Sequence, residues 1–390
     1  MKEGWKMVKL EDVSNLITDG DWIESKNQSS EGIRLIQTGN IGPGFFKDKS
    51  DSYRYISETT FTKLNCTEIF KGDCLVSRLP DPVGRACIIP DTKKRMITAV
   101  DCSILRFNSA ILPKWFIYYS QSNEYYSKID KESTGSTRKR ISRKNLTQIT
   151  IPLPPLEEQH RIVSILDATF EKIDTLKANA EENLKNAKAL FQQVLAQELK
   201  PKEDWVEKKI GDVCEVINGR AYKQSELLDK GKYKVLRVGN FFTNNNWYYS
   251  DLELDENKYC DNGDLLYAWS ASFGPKIWKG DKVIYHYHIW KMLCSDYIDK
   301  YFMFYYLNST LFIQKALKDL HGTTMSHITK GIMESTIVAF PSISEQQRIV
   351  QTLDTLSEKC RHLETIAQQT IRECDALKQS ILRQAFSGEL

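Results

Sequence analysis

The chain has 390 residues, of which 41% are hydrophobic and 27% charged. This is the composition of soluble globular proteins and the length of two or three ordinary domains. No apolar run is long enough to cross a bilayer and residues 1–5 lack a signal peptide's apolar stretch, so a cytoplasmic, membrane-free protein is expected. A formal net charge of only +3 excludes polyanion binding through bulk charge and requires any such surface to be local.

Taken in chain order, short β-rich runs at 33–37, 74–77 and 86–89 are separated by Gly, Asn, Asp and Pro, and they predict strands. A helical run at 114–128 closes this first domain, residues 1–155. Pro154 and Pro155 then stand before a long amphipathic segment, at a position where proline is tolerated. Within it, apolar residues recur by sevens at Val163, Phe170, Leu184 and Phe191, and at Leu166, Ile173, Ala180, Ala187 and Val194, with Lys177 interrupting the first row. Sustained heptads predict one long helix over 156–200, roughly 65 Å if fully helical. Strands at 235–238, 265–268 and 283–290 and a helical run at 300–320 follow in a second domain, 201–342. Pro341 precedes a second helix over 343–390, with rows at Leu353, Cys360, Ala367, Cys374 and Ile381 and at Leu356, Leu363, Thr370 and Leu377.

The two halves are copies. Residues 5–13, Trp-Lys-Met-Val-Lys-Leu-Glu-Asp-Val, match 205–213, Trp-Val-Glu-Lys-Lys-Ile-Gly-Asp-Val, and residues 33–40 match 233–240 at the same offset of 200. Gly72-Asp73 matches Gly263-Asp264, Gly135-Ser136-Thr137 matches Gly322-Thr323-Thr324, and 154–167 matches 341–354. The offset changes only between blocks, where insertions fall in loops. The expected fold is α+β. Two similar mixed α/β domains are separated by two long antiparallel helices forming a coiled coil. The end of each helix stands just before a Trp-containing start, giving a circular, pseudo-two-fold arrangement.

The Trp…Leu/Ile-x-Asp-Val start, the Gly-Asn block, the Gly-Asp before a strand and the Gly-Ser/Thr-Thr loop recur in both halves. With the Pro-Leu-Pro-Pro-Leu-x-Glu-Gln-x-x-Ile-Val helix start and the terminal Ala385-Phe-Ser-Gly-Glu-Leu390, they resemble the specificity subunits of type I restriction-modification systems. The resemblance implies two target-recognition domains, each reading one half of a bipartite double-stranded DNA target. It implies helices that set the gap and dock two methyltransferase subunits, with restriction/translocase subunits joining. It also implies no catalysis and no cofactor in this chain. The second helix start departs from the pattern, reading Phe-Pro-Ser-Ile, and the first helix ends Leu-Ala-Gln-Glu-Leu.

The strongest DNA-contact candidate is the loop with Ser136, Thr137, Arg138, Lys139, Arg140, Arg143 and Lys144, which carries no acid. Its cations neutralise phosphates, Arg also pairs with guanine, and the hydroxyls donate to phosphate oxygens. The competing reading is a solvated basic turn. The partner loop, with Thr323, Thr324, Ser326, His327 and Lys330, is less charged, so the halves are expected to read different sequences. A second loop with Arg78 and Arg85, and its counterpart with Trp269, Ser270 and Lys276, suits base contact and an ordinary hairpin equally. Gly39-Asn40, Gly239-Asn240, Asp19-Gly20 and Asn218-Gly219 read as turns. His286 and His288 alternate on the predicted 283–290 strand and share a face; without a third ligand, a polar face is favoured over a metal site. Trp247, Tyr248, Tyr249 and Trp290 read as core. Nine cysteines without Cys-x-x-Cys argue against disulfides or zinc. Phosphate-binding loops and an Asn/Asp-Pro-Pro-Tyr/Phe segment are missing, which disfavours an enzyme. The alternative to DNA reading is a coiled-coil scaffold that binds only proteins.

Overall fold

A computed structural model describes residues 2–270, 273–318 and 328–390. The chain forms two compact units, Met1–Ala180 with Gln369–Leu390, and Glu181–Gln368.

Unit 1 contains strands β1 (Lys6–Lys9), β2 (Ser14–Asp19), β3 (Ile33–Ile36), β4 (Tyr55–Ile56), β5 (Glu68–Ile69), β6 (Cys74–Ser77), β7 (Ala86–Ile88), β8 (Met96–Thr98), β9 (Cys102–Phe107), β10 (Ser133–Thr134), β11 (Arg140–Ile141) and β12 (Thr150–Leu153). Its helices are α1 (Glu58–Leu64), α2 (Pro113–Tyr119), α3 (Asn123–Glu132), α4 (Arg143–Thr147) and the first part of α5 (Leu156–Glu198). One sheet has the order β2-β9-β6-β7 and is antiparallel; the other, β4-β3-β8-β5, pairs β3 with β8 in parallel. Strand β6 shows why such a short apolar run forms here. Its side chains alternate: Leu75 packs with Ile36, Met96 and Ile104 between the sheets, while Cys74 and Val76 pack with Trp115 and Phe116 of α2.

Unit 2 repeats this plan with β13 (Val206–Lys209), β14 (Cys214–Asn218), β15 (Tyr233–Leu236), β16 (Tyr248–Ser250), β17 (Tyr259–Cys260), β18 (Leu265–Ala268), β19 (Gly274–Ile277), β20 (Val283–Tyr285), β21 (Ile289–Cys294) and β22 (Ile337–Phe340). Its helices are α6 (Ile210–Val213), α7 (Val238–Phe242), α8 (Lys300–Leu307), α9 (Thr310–Lys318), α10 (Lys330–Ser335) and the first part of α11 (Ile343–Ser387). The sheet orders are β14-β21-β18-β19 and β16-β15-β20-β17, with β15 parallel to β20. The two four-stranded sheets of unit 1 and the β1-β12 pair are therefore reproduced strand for strand, the last as β13-β22. Both Asp19-Gly20 and Asn218-Gly219 require glycine for the same reason. A Cβ at Gly20 would stand 2.3 Å from the Thr98 carbonyl, and one at Gly219 2.3 Å from the His286 carbonyl.

The long helices pack antiparallel within each unit. In unit 1, Val163, Leu166, Phe170 and Ile173 of α5 share a core with Cys374, Leu382 and Phe386 of α11, and Lys177 pairs with Asp375 at 2.6 Å. In unit 2, Leu195 and Leu199 of α5 meet Ile349 and Leu353 of α11, and Arg348 pairs with Glu198 at 2.9 Å. One heptad row of α11 departs from expectation: Leu363 and Leu377 are 50% and 49% exposed. Small residues are buried along these helices, Ala180 and Cys374 in unit 1 and Ala187, Cys360 and Ala367 in unit 2, while the bulkier leucines stay exposed.

A buried glutamine secures each helix start. Gln159 Oε1 accepts from Leu112 N at 2.8 Å while its amide donates to the carbonyls of Ala110 and Pro154. Gln346 does the same with Asp299 N at 2.7 Å and the carbonyls of Tyr297 and Pro341. Both side chains are fully buried.

Three predicted elements are corrected. The helical run 114–128 is two helices, because Ser122 caps a new start by accepting from Tyr125 N. The run 300–320 likewise breaks at Ser309, whose hydroxyl accepts from Phe312 N. The strand predicted at 283–290 is two strands, β20 and β21, with His286, Tyr287 and His288 forming the turn between them.

Candidate nucleic-acid interface

In unit 1 the basic loop is a β-hairpin. β10 pairs with β11, and Gly135 turns between them at φ +105. A Cβ there would come within 2.6 Å of the Arg138 carbonyl, so the tight turn needs glycine. Ile141 and Leu146 are buried anchors, and Ser142 caps α4 by accepting from Asn145 N. Anchoring these apolar residues turns Ser136, Thr137, Arg138, Lys139, Arg140, Arg143 and Lys144 outward, and all seven are exposed.

Aspartates from the surrounding surface match several of these cations. Lys139 pairs with Asp130, Arg140 with Asp101 at 3.1 Å, and Arg143 approaches Asp19 to 3.9 Å. Exposed pairs of this kind contribute only about 0–1 kcal/mol each, so they orient the guanidinium groups at little cost to exchange for phosphate. Arg138 and Lys144 have no ion pair among the described residues. Ser136, Thr137 and Lys139 also rim a 640 Å³ cleft whose far wall is Pro80, Pro82, Val83 and Tyr126.

Arg78 and Arg85 are not surface contacts. Both are buried, at 5% and 6% exposure. Arg85 donates to four backbone carbonyls, those of Thr38, Ile41, Leu79 and Pro82, at 2.8–2.9 Å. Arg78 donates to Val100 O and faces Asp19 at 3.3 Å, beneath the hairpin. Burial lowers the pKa of both guanidinium groups, and Asp19 offsets this at Arg78. A loop arginine reads as a surface cation in sequence because the carbonyls of Thr38, Ile41 and Val100 arrive from distant segments.

In unit 2 the corresponding face has another chemistry. The amide of Ile141 donates to Arg78 O in unit 1, and that of Ile328 donates to Trp269 O in unit 2. Trp269 thus stands where Arg78 does. It is half-buried, stacks on Trp290 at 5.9 Å and donates through its indole to Tyr287 O. Strand register likewise places His286 and His288 where unit 1 has Ala99 and Asp101. The imidazole rings are 4.8 Å apart. Burial first, then His288 and Arg237, pushes His286 down to about 4; burial and Arg237 also lower His288. Both rings are therefore neutral at physiological pH. Among the described residues no group of three metal-ligating side chains gathers.

The remaining candidates divide. Ser270 is half-buried beside Trp269. Lys276 sends its ammonium to Phe241 O, and Lys330 starts α10 with Glu334 at 3.4 Å. Thr323, Thr324, Ser326 and His327 lie outside the described residues. Of the aromatics expected in the core, Trp290 is buried, whereas Trp247, Tyr248 and Tyr249 are half-exposed. Asp19 and Asn240 read only as turn residues in the sequence and Asp101 was not singled out, because the cations that Asp19 and Asp101 face, Arg78, Arg140 and Arg143, are distant in the chain. Gly39-Asn40 and Gly239-Asn240 sit in single helical turns.

Among the described residues no helix is long and apolar enough to cross a membrane. The family model of the type I restriction modification DNA specificity domain matches residues 2–186 and again 202–373. The MjaVIII specificity subunit of Methanocaldococcus jannaschii is 24% identical, over 73% of this chain and 72% of its own. The EcoKI specificity subunit of Escherichia coli is 26% identical, over 74% and 68%. The fold is shared with a chain solved in work on assembly and conformational transition of a type I R-M system, with TM-score 0.81, 21% identity and coverage of 100% and 99%. It is also shared with the HsdS subunit from Thermoanaerobacter tengcongensis, with TM-score 0.56, 20% identity and coverage of 100% and 98%. Two matched copies of one recognition domain, each on the same two-sheet scaffold, place this chain in the type I restriction-modification DNA specificity family.

Proposed function

We propose that the chain reads a bipartite double-stranded DNA target, one half per repeat, and performs no chemistry itself. The observation that carries this reading is the duplicated scaffold with two surface chemistries. Unit 1 presents a cationic hairpin above Arg78, Ala99 and Asp101; at the places of those three residues unit 2 presents an indole and two imidazoles. One backbone carrying two sets of hydrogen-bonding groups suits two different half-sites.

Residues 1–155 and 201–342 act as readers, and residues 156–200 and 343–390 as the spacer that fixes the gap. Arg138, Lys139, Arg140, Arg143 and Lys144 neutralise phosphates, with Ser136 and Thr137 donating to phosphate oxygens. Arg78 and Arg85 shape the ground beneath them. In the second reader Trp269, Ser270, Lys276 and Lys330 act together with Thr323, Thr324, Ser326 and His327. Two methyltransferase subunits dock on the helices, where Leu176 and Leu377 of unit 1 and Leu190 and Leu363 of unit 2 are exposed. In each unit an exposed leucine from each long helix suits protein contact. Restriction/translocase subunits complete the assembly in the cytoplasm, and adenine methylation and cleavage belong to those partners.

Sequencing DNA methylation in cells with and without the gene tests the reading. Loss of one bipartite methylated motif on deletion is expected. An unchanged methylation pattern would sink it.

A further inference from the structure

Unit 2 contains a cleft of about 560 Å³ lined by Arg237, Asn240, Asn244, Asn246, His286 and His288. The equivalent corner of unit 1 is filled. There Asn40 is buried, its carbonyl oxygen accepting from Gln37 N and its amide donating to Lys47 O. The Arg85 guanidinium occupies the carbonyls of Thr38 and Ile41 alongside it. Strand register puts Gly274 at the place of Arg85, and a Cβ there would meet nothing within 4 Å among the described residues. Lys276 reaches the carbonyl of Phe241, the counterpart of Ile41, but no guanidinium stands beside Asn240 as Arg85 stands beside Asn40, and the cleft lies there.

The groups left in the opening have a particular chemistry. Asn240 donates to the carbonyls of Asn244 and Asn246, and Asn244 Oδ1 accepts from Asn246 N at 2.7 Å, so the loop is preset. The Asn246 side-chain amide is exposed and has no partner among the described residues. His286 and His288 are neutral at working pH, so Arg237 is the one cation among the lining residues and Asp229 the one acid. A phosphate site needs net positive charge, which this cleft lacks. It presents one exposed side-chain amide, Asn246, and one exposed guanidinium, Arg237, on a preset loop, and these are the groups that pair with the edge of a base. A side-chain amide pairs with adenine N6 and N7, and a guanidinium with guanine O6 and N7.

We infer that this cleft reads a purine edge in the half-site of the second repeat, with Asn246 and Arg237 as the specificity-determining side chains and Asn240 and Asn244 as positioning residues. The inference rests on the DNA-reading function proposed above. The test uses the full chain assembled with its methyltransferase, carrying Asn246→Ala or Arg237→Ala. Both side chains are exposed, so folding is not at stake. Competition gel shifts use duplexes substituted one base pair at a time. One or two positions of a single half-site should lose about tenfold or more of their discrimination, while the other half-site and the gap stay fixed. Methylation sequencing should show the motif relaxed at those same positions. Unchanged discrimination in both variants would overturn the inference, as would an equal loss of affinity for target and unrelated duplexes, which is the mark of a phosphate contact. A wild-type assembly with no sequence preference would instead overturn the function proposed above.

Discussion

The recognition faces of the two units teach how much chemistry a duplicated backbone can exchange without changing its path. Arg78 and Trp269 receive the same amide bond from the following loop. One is a buried cation held by Asp19; the other is an indole stacked on Trp290. Asp101 in the first repeat anchors Arg140, and its counterpart His288 is a neutral ring. The shared features are backbone approaches and the buried glutamines. The differing features are the side chains that face outward from them.

The sharpest way to break the comparison is at the shared glycines. Gly20→Ala and Gly219→Ala each drive a Cβ against a backbone carbonyl, so each should destabilise its own unit by about 3 kcal/mol. Hydrogen exchange resolves the halves separately, and a mild effect in either one would mean that the repeats do not share this constraint. Next is Arg85→Gly, which copies Gly274 into unit 1. Four carbonyls lose their donor, and unit 1 should weaken by about 2–3 kcal/mol in a denaturant titration, with unit 2 unaffected. Third, Arg138→Ala with Arg140→Ala and Arg143→Ala should reduce DNA affinity about 10- to 100-fold at moderate salt. The salt slope should fall by roughly 0.9 for each phosphate that is no longer neutralised. Gel-shift titrations at several salt concentrations measure both, and an unchanged slope would remove the hairpin from the interface.

The smallest effect concerns pH. His286 has its pKa held at about 4 in the folded chain, against 6.5 ordinarily. A depressed histidine favours the fold while neutral. Its contribution is complete above pH 6.5 and is lost as pH falls towards 4, because the unfolded chain takes up the proton first. With solvent screening this amounts to about 1 kcal/mol. His286→Ala, which copies Ala99 of unit 1, should remove this part of the stability that unit 2 loses between pH 7 and 4, read by hydrogen exchange; an unchanged loss would show that His286 does not carry it.

Much of this arrangement was legible in the sequence, for physical reasons. Repeated blocks and heptads are periodic, and periodicity survives without coordinates, so the two domains and both long helices were expected. The exposed cations from Arg138 to Lys144 were also expected, since no acid is nearby in sequence. Arg78 and Arg85 were misplaced because the carbonyls that bury them come from residues 38–41, 79–82 and 100. The 283–290 run looked continuous because its apolar residues alternate through the turn at His286. The breaks at Ser122 and Ser309 depend on single caps that a long amphipathic pattern masks. The Asn240–Asn246 cleft was invisible because its walls come from separate segments, Arg237–Tyr248 and the turn at His286–His288.

The glutamine fastenings have an evolutionary consequence. Gln159 and Gln346 make the same set of bonds with neighbours at matching positions, so each reader segment ends at an interchangeable joint. A crossover near either joint would keep these bonds in place, because both joints use the same set of partners. New paired specificities can then arise by shuffling rather than by gradual substitution.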